Sequence, residues 1–284
     1  MKILYCTDFS NAALHSFEKA LPFLKDGCEA DIISVSDLDY AHIPIYKDYK
    51  LQNLESARSY VESKGIKVIR TLSPLGNPAE EIIKRTLEER YDLIVIGSRS
   101  NVLYKWIGST SRKVAEKSSV PVFIARMTQR VKPSQGKKDV LFAVDGSENS
   151  YNSITKAVEI LDFTNSSVEI LTVKQGKEDL PIEITTDKEW LQRILDKQEE
   201  NARQIIEQST RLTAEKGIKV DSGIIQEGDT ANEIMEYAEA KQKDLIIMGS
   251  HGREGVSSVL LGSISKRVLD NTFCPVMIVP TKKV

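Results

Sequence analysis

An internal repeat constrains the fold of this 284-residue chain more than any other feature of its sequence. Six blocks of the first half recur in the second half, and they recur in the same order. The paired blocks begin at Met1 and Lys138, Ile32 and Ile170, Lys64 and Lys216, Gly76 and Gly228, Tyr91 and Lys243, and Ser119 and Phe273. Apolar runs that arose by chance would not keep one order through six blocks. The repeat therefore indicates two tandem copies of one domain.

The spacing of the paired blocks shows where the two copies differ in length. Equivalent residues lie 137 apart at Asp8 and Asp145 but 152 apart at Gly76 and Gly228. The second copy is therefore longer mainly between its second and third strands. The segment 187–214 in this region has apolar residues at helical spacing and predicts a long helix.

A basic segment that contains proline, serine and glycine separates the two copies over residues 128–138. This composition favours a linker. We expect a first domain over residues 1–127 and a second domain over residues 139–284.

Within each copy, the sequence predicts strands that alternate with helices. Short runs rich in β-branched residues, without sustained alternation, are typical of parallel strands buried on both faces. In the first copy these runs are 3–6, 32–35, 68–72 and 93–96. Right-handed crossovers then predict an α/β fold with a doubly wound sheet in each copy. The tyrosine-rich segment 37–52 predicts a loop.

Composition excludes several classes of protein. Apolar residues make up 40% of the chain and charged residues 28%, which is typical of a soluble globular protein, and the formal net charge is -2. We therefore expect neither nucleic acid nor a membrane as a partner. The three cysteines are widely spaced and form no C-x-x-C motif, so the sequence predicts neither a disulfide nor a metal site. A cytoplasmic location is expected.

A glycine-rich loop after the fourth strand of the second copy carries the clearest chemical signal. Gly249-Ser250-His251-Gly252 is followed by nine residues and then by Gly262-Ser263-Ile264-Ser265, at a predicted helix start. Glycines allow backbone N–H groups to approach phosphate oxygens, and a helix N-terminus favours negative charge. Hydroxyl groups in the second block and the guanidinium of Arg253 could add further donors. The loop therefore suits a polyphosphate.

The pattern G-x2-G-x9-G-[S/T], preceded by D-L-I-I-M-G, resembles the ATP-binding motif of the universal stress protein family. The segments that begin at Asp145, Gly228 and Cys274 resemble other landmarks of that family. The resemblance implies two tandem Rossmann-like domains of the adenine nucleotide alpha hydrolase-like type. Each would have a five-stranded parallel sheet of order 3-2-1-4-5 flanked by helices. It also implies an intrachain pseudo-dimer through the fifth strands, and a homodimer is possible in the family.

The resemblance further implies which residues of the second copy bind the ligand. Glycines and serines of the loop would contact phosphates, Asp145 the nucleoside, and the backbone of Val173 the adenine. The nucleotide-binding candidates are Ala143, Val144, Asp145, Val173, Gly249, His251, Gly252, Arg253, Gly262, Ser263, Ile264 and Ser265. The expected ligand is ATP, with ADP or AMP as alternatives, and Mg²⁺ would accompany ATP alone. Another interpretation of the glycines is a tight strand-to-helix turn without a ligand.

The equivalent loop of the first copy departs from this pattern. Ser100 stands at the position of the second glycine, and seven residues instead of nine precede Gly108. We expect weak or absent ATP binding in the first copy, or a site adapted to a smaller anion such as AMP.

The sequence assigns no catalytic residue. It contains no Walker A motif, and His15, His42 and His251 lie in different contexts, so no nucleophile and base can be paired by spacing. The leading hypothesis is a nucleotide-dependent regulator of a stress response. The alternatives are a slow ATPase or autokinase, and a nucleotide-free module for dimerisation or interaction.

Overall fold

The computed structural model describes residues 1–36, 44–98, 107–127, 137–177, 180, 187–252 and 261–281. These residues contain ten strands and eight α-helices. The strands are β1 Lys2–Cys6, β2 Glu29–Ile33, β3 Lys67–Leu72, β4 Leu93–Ser98, β5 Val122–Arg126, β6 Lys138–Ala143, β7 Ser166–Lys174, β8 Ser222–Glu227, β9 Leu245–Gly249 and β10 Val276–Val279. The helices are α1 Asn11–Ala20, α2 Pro44–Ser63, α3 Pro78–Glu88, α4 Ser109–Lys117, α5 Glu148–Ile160, α6 Lys188–Glu215, α7 Thr230–Ala240 and α8 Ser263–Asn271.

All ten strands form one sheet in the order β3-β2-β1-β4-β5-β10-β9-β6-β7-β8. Each half therefore has the expected order 3-2-1-4-5, and the strand pairs within each half are parallel. The two halves meet where β5 and β10 pair antiparallel, with Val276 opposite Ile124 and Ile278 opposite Val122. The expected α/β fold with two tandem units is confirmed, and the fifth strands pair within one chain.

Helices cover both faces of the sheet, because successive side chains of each buried strand are apolar and point to opposite faces. On one face the core joins α1 and α2 of the first half to α5 and α6 of the second half. On the other face it joins α3 and α4 to α7 and α8. Ile3 and Tyr5 of β1 belong to the first core, and Leu4 and Cys6 belong to the second. None of the described helices is long and apolar enough to span a bilayer.

The junction between the halves is reinforced by polar contacts on each side of the β5–β10 pair. The Arg112 guanidinium lies 2.6 Å from a carboxylate oxygen of Asp270. The ammonium of Lys138 donates to Pro22 O at 2.7 Å, and the N–H of Asp162 donates to Phe23 O at 2.8 Å. These contacts connect α4 with α8, and the segment after α1 with the second half.

Two expectations about individual elements have different outcomes. The long helix expected over 187–214 is confirmed as α6, which the Asp187 side chain caps. The loop expected over 37–52 is wrong from residue 44 onward, because α2 begins at Pro44. Leu54 and Val61 of this helix are buried, and this packing outweighs the tyrosine-rich composition. Residues 37–43 and most of the expected linker lie outside the described residues.

A buried carboxylate stabilises the first half. Asp31 on β2 is fully buried, and its Oδ2 lies 2.6 Å from Arg70 Nη2, 2.6 Å from the Tyr91 hydroxyl and 3.1 Å from Lys2 Nζ. Burial alone would raise the pKa of Asp31. The hydrogen bonds from Arg70, Tyr91 and Lys2 outweigh burial and hold the pKa below its usual value.

We predict that Asp31→Asn lowers the free energy of unfolding by about 2–4 kcal/mol at neutral pH, because cations then lose their buried partner. The folded pKa lies below the unfolded value, so this contribution is complete above about pH 4 and is lost as the pH falls. Urea unfolding at neutral and acidic pH measures both effects.

The matched control is Glu29→Gln, which removes the exposed ion pair with Lys67 and should cost less than about 1 kcal/mol. Two outcomes would contradict this role of Asp31. One is an equal loss of unfolding free energy in the two variants, and the other is a difference between wild type and Asp31→Asn that does not become smaller at acidic pH.

Candidate functional site

The candidate site lies at the carboxyl ends of β6, β7 and β9, where ligands bind in open α/β sheets. β6 ends at Ala143, and Val144 continues it by donating its N–H to Leu171 O at 2.9 Å. Oδ1 of Asp145 then accepts hydrogen bonds from the N–H (3.0 Å) and hydroxyl (2.6 Å) of Ser147, which caps α5. Asp145 is therefore not the cap of α5, but it positions Ser147, which is the cap.

Gly252 brings the loop after β9 close to this carboxylate. A Cβ at residue 252 would lie 2.5 Å from Oδ2 of Asp145, which is closer than real Cβ atoms come. A larger residue at position 252 would displace this carboxylate, and with glycine no side chain separates the loop backbone from the end of β6. The structure brings together two of the residues that the sequence selected from positions more than a hundred residues apart.

The start of α8 is the second notable feature of the site. Gly262 is its N-cap, and no side chain in the described part of the chain caps this helix. By contrast, Ser147 caps α5 and Asp229 caps α7. The N–H groups of residues 263–265 have no acceptor within the helix. The positive end of α8 is therefore available to an anion.

Gly262 also holds the start of α8 against the loop. Its N–H donates to Ser250 O at 2.8 Å, and a Cβ at residue 262 would lie 3.3 Å from that oxygen and from Cα of His251. The uncapped helix start and the turn at residues 249–252 are therefore in direct contact.

The residues that follow Gly262 have different environments. Ser263 is exposed at the helix start, and Ile264 packs partly against the core. Ser265 is buried, and its hydroxyl donates to the carbonyl oxygen of Gly249 at 2.8 Å. In this structure Ser265 joins α8 to the end of β9, and a phosphate contact by its hydroxyl remains a prediction.

His251 lies beside two hydroxyl groups that no family motif singles out. Its Nδ1 is 3.1 Å from the hydroxyl of buried Ser250 and 3.5 Å from that of Thr281. The N–H of Ser250 donates to Val279 O at 2.8 Å, which ties the loop to β10. Partial burial lowers the pKa of His251 and so favours the neutral ring, which would meet a phosphate through hydrogen bonding.

Val173 has its side chain against the core and its backbone at the site. The β6–β7 ladder has its last pair at Ala143 and Leu171, and Leu171 O accepts from Val144. Polar groups of the backbone alternate sides along a strand, so those of Val173 point toward β6, two residues beyond the last pair. This is the edge where the resemblance expects adenine.

An ion pair that the sequence analysis did not predict connects α8, whose start forms part of the site, with the start of α7. Arg267 on α8 makes two contacts of 2.8 Å with the carboxylate of Asp229, the cap of α7. The hydrogen bonds from Arg267 and from the Asn232 N–H lower the pKa of Asp229. Pairing between α8 and the start of α7 has no signal in a single sequence, although the segment that begins at Gly228 resembles a family landmark.

Several expected features fall outside the described residues. Arg253 is one of them, and Ser100 of the first half is another. The described part of the first half repeats the uncapped helix start, because α4 has Gly108 as its N-cap and no side-chain cap among the described residues. The N–H of Gly108 donates to the Ser98 hydroxyl at 3.0 Å, where Gly262 uses a backbone oxygen. Across the described residues, no group of three or more His, Cys, Asp or Glu side chains could hold a metal ion.

Comparison with known proteins agrees with this architecture. The model of the universal stress protein family matches residues 1–126 and again residues 137–280. The chain therefore belongs to the universal stress protein family, in a tandem form. The universal stress protein MJ0531 of Methanocaldococcus jannaschii is 30% identical over 146 residues, which cover 51% of this chain and 84% of that protein.

Two further relatives show the same relation. The universal stress protein YxiE of Bacillus subtilis is 30% identical over 149 residues, covering 49% of this chain and 97% of its own. The crystal structure of a universal stress protein from Archaeoglobus fulgidus superposes with a TM-score of 0.66 at 25% identity. That superposition covers 98% of this chain and 97% of the other, so the match extends over both halves of the chain.

We predict that Ser265→Ala lowers the free energy of unfolding by about 1–3 kcal/mol, because it leaves the buried carbonyl of Gly249 without this donor. Ser263→Ala is the matched control: the side chain is exposed, and the change should stay within about 0.5 kcal/mol. Chemical unfolding of the two variants measures the difference. A loss for Ser263→Ala as large as that for Ser265→Ala would contradict the assigned roles.

Proposed function

We propose that the second half of the chain binds an adenine nucleotide and that occupancy of this site regulates a stress response. ATP is the leading ligand, and ADP and AMP are alternatives. The observation that carries the proposal is the direct contact between the uncapped start of α8 and a loop whose Gly252 meets Asp145 without an intervening side chain. Membership of the universal stress protein family supports it.

The charges of the site define the orientation of the nucleotide. Phosphates belong at the start of α8, where free N–H groups and the helix dipole favour negative charge. The carboxylate of Asp145 would repel phosphates but accepts hydrogen bonds, which suits the hydroxyl groups of a ribose. Adenine would then reach the backbone of Val173 at the end of β7. The nucleotide thus extends from β7 across β6 to β9.

Mg²⁺ enters this proposal only with ATP. Magnesium keeps several water ligands and is commonly held by substrate phosphates together with one or two protein carboxylates. The phosphate oxygens of ATP would therefore supply most of the magnesium ligands other than water, and Mg²⁺ would neutralise part of their charge.

A regulatory role requires that the nucleotide favour one state of the protein over another. The loop provides a connection for this effect. Ser250 donates to Val279 of β10, and its hydroxyl accepts from the N–H of Thr281 at 3.1 Å. Because β10 pairs with β5, a ligand that orders the loop would also stabilise the end of the strand that joins the two halves.

We predict that Gly262→Asp weakens ATP binding at least about 10-fold while α8 stays folded, because aspartate is a good N-cap that occupies the free N–H groups and adds negative charge. The matched control is Gly108→Asp, which makes the same change at α4 and should leave ATP affinity unchanged. Isothermal titration calorimetry with Mg-ATP measures affinity and stoichiometry, and circular dichroism verifies folding.

Wild-type protein should bind one ATP per chain in this titration. Loss of binding in Gly108→Asp but not in Gly262→Asp would place the site in the first half and overturn the assignment. Steady ADP release that disappears in Gly262→Asp would instead favour the slow ATPase.

A further inference from the structure

The first half contains a buried lysine at the carboxyl end of β2. The side chain of Lys50 on α2 is packed so closely that the residue is 5% exposed, and its ammonium donates to the hydroxyl of Ser36. Ser36 continues the parallel pairing beyond β2, since its N–H donates to Pro74 O at 2.9 Å and its carbonyl accepts from Gly76 at 3.0 Å. Lys50 therefore places a cation at the edge of the sheet where ligands bind.

The internal repeat identifies the equivalent positions in the second half. Ser36 corresponds to Lys174, by the spacing that pairs Ile32 with Ile170. For the residues around Ser36 on α2 and after β3, the equivalent positions follow from the spacing that pairs Lys64 with Lys216. By that spacing Lys47 corresponds to Glu199, Lys50 to Ala202, and Leu75 to Glu227.

The second half compensates its cation within the chain. Lys174 Nζ lies 3.1 Å from a carboxylate oxygen of Glu199 and 3.1 Å from one of Glu227. The hydrogen bonds that the ammonium donates to these two carboxylates raise the pKa of Lys174. Ala202, at the position of Lys50, is a buried apolar residue.

The first half also has a cation at this corner, but it has Lys47 and Leu75 at the positions of the two carboxylates, Glu199 and Glu227. Burial lowers the pKa of Lys50 to about 8. Lys47 and Asp48 on the same helix are exposed, and Asp31 of β2 and Arg70 of β3 pair with each other. Ser36 is the one partner of the ammonium among the described residues, although an ammonium has three donors.

We propose that the corner formed by Ser36, Lys50 and the turn after β3 binds a small ligand that carries one carboxylate or phosphate group. The ligand supplies the negative charge that Glu199 and Glu227 supply in the second half. A buried ammonium without a counter-ion is costly, and an anion with complementary hydrogen bonds removes that cost. The site is independent of nucleotide binding in the second half.

The geometry favours a small anion over a polyphosphate. One ammonium and one hydroxyl converge here, which matches a single charged group. The corner lies at the end of β2, whereas the uncapped start of α4 follows β4, two strands away in the sheet. The first half would therefore bind a ligand whose charge lies where the second half is proposed to hold adenine.

The test is a pH titration of the full chain labelled with ¹³C at the lysine Cε positions. Loss of one resonance in Lys50→Met assigns Lys50, and Met fills a similar volume in the packed corner. Without added anion, the resonance should titrate with a midpoint of about 8. Inorganic phosphate or acetate should raise that midpoint by about 1 unit or more, as a bound opposite charge does. The anion that raises the midpoint more at equal concentration identifies the group that the site prefers.

Lys47→Met removes an exposed lysine from the same helix and should leave the response of Lys50 unchanged. Gly262→Asp should also leave it unchanged, which separates this site from the nucleotide site. No response of the Lys50 resonance to phosphate, acetate or AMP would overturn the proposal. A high midpoint in anion-free protein that falls in Asp37→Asn or Asp39→Asn would also overturn it, because the chain would then supply its own anion.

Discussion

The antiparallel pairing of β5 with β10 is the interaction on which the rest of the architecture depends. Each half alone would leave its fifth strand as an unpaired edge, and the pairing converts two five-stranded sheets into one of ten strands. Because the two strands run in opposite directions, the carboxyl ends of the two halves face opposite ends of the sheet. The candidate nucleotide site and the Lys50 corner therefore lie in different halves and at opposite ends of the strands of this sheet.

The same pairing connects the second-half site to the junction. Val279 at the end of β10 accepts from Ser250, the first residue of the glycine loop after β9. On the other side of the junction, Arg126 is the last residue of β5; it is buried and donates to the carbonyl of Asp270 in the last turn of α8. Both ends of the candidate phosphate site, the loop and the helix, are thus anchored at the place where the halves meet.

The two halves share one fold, but the charged residues that form ion pairs differ between them. In the first half a buried carboxylate on the second strand, Asp31, accepts from Tyr91 and pairs with Arg70. The equivalent Glu169 pairs with Lys243 at 2.6 Å and accepts from Tyr237 at 2.9 Å. In both halves a carboxylate on the second strand is paired with a cation and with a tyrosine hydroxyl, since a buried unpaired charge would be strongly destabilising. Among the described residues no carboxylate pairs with Lys50, and for that reason this corner carries the inference of an external anion.

Much of the architecture could be predicted from the sequence, because a repeat and a parallel-strand pattern are local signals that survive without an alignment. The order of the strands followed from the family resemblance and not from spacing. Gly252 and Gly262 could be selected because close backbone approach requires glycine, which the residue type itself reveals. Thr281 and Arg267 could not, since their contacts join segments distant in the chain.

Two kinds of residue misled the sequence reading for physical reasons. A lysine on a helix is normally exposed, so the burial of Lys50 had no signal in a single sequence. Tyrosines and a proline near residue 44 favoured a loop, yet proline is compatible with the first turn of a helix and α2 begins there. In both cases tertiary packing decided the outcome.

Hydrogen exchange measured by mass spectrometry, with and without Mg-ATP, tests the central claim most directly. If the second half holds the nucleotide, the amides of residues 249–252 and 261–265 become protected, and those of residues 97–98 and 107–111 do not change. Protection confined to the first-half segments, or no protection in either half at saturating ATP, would contradict the account.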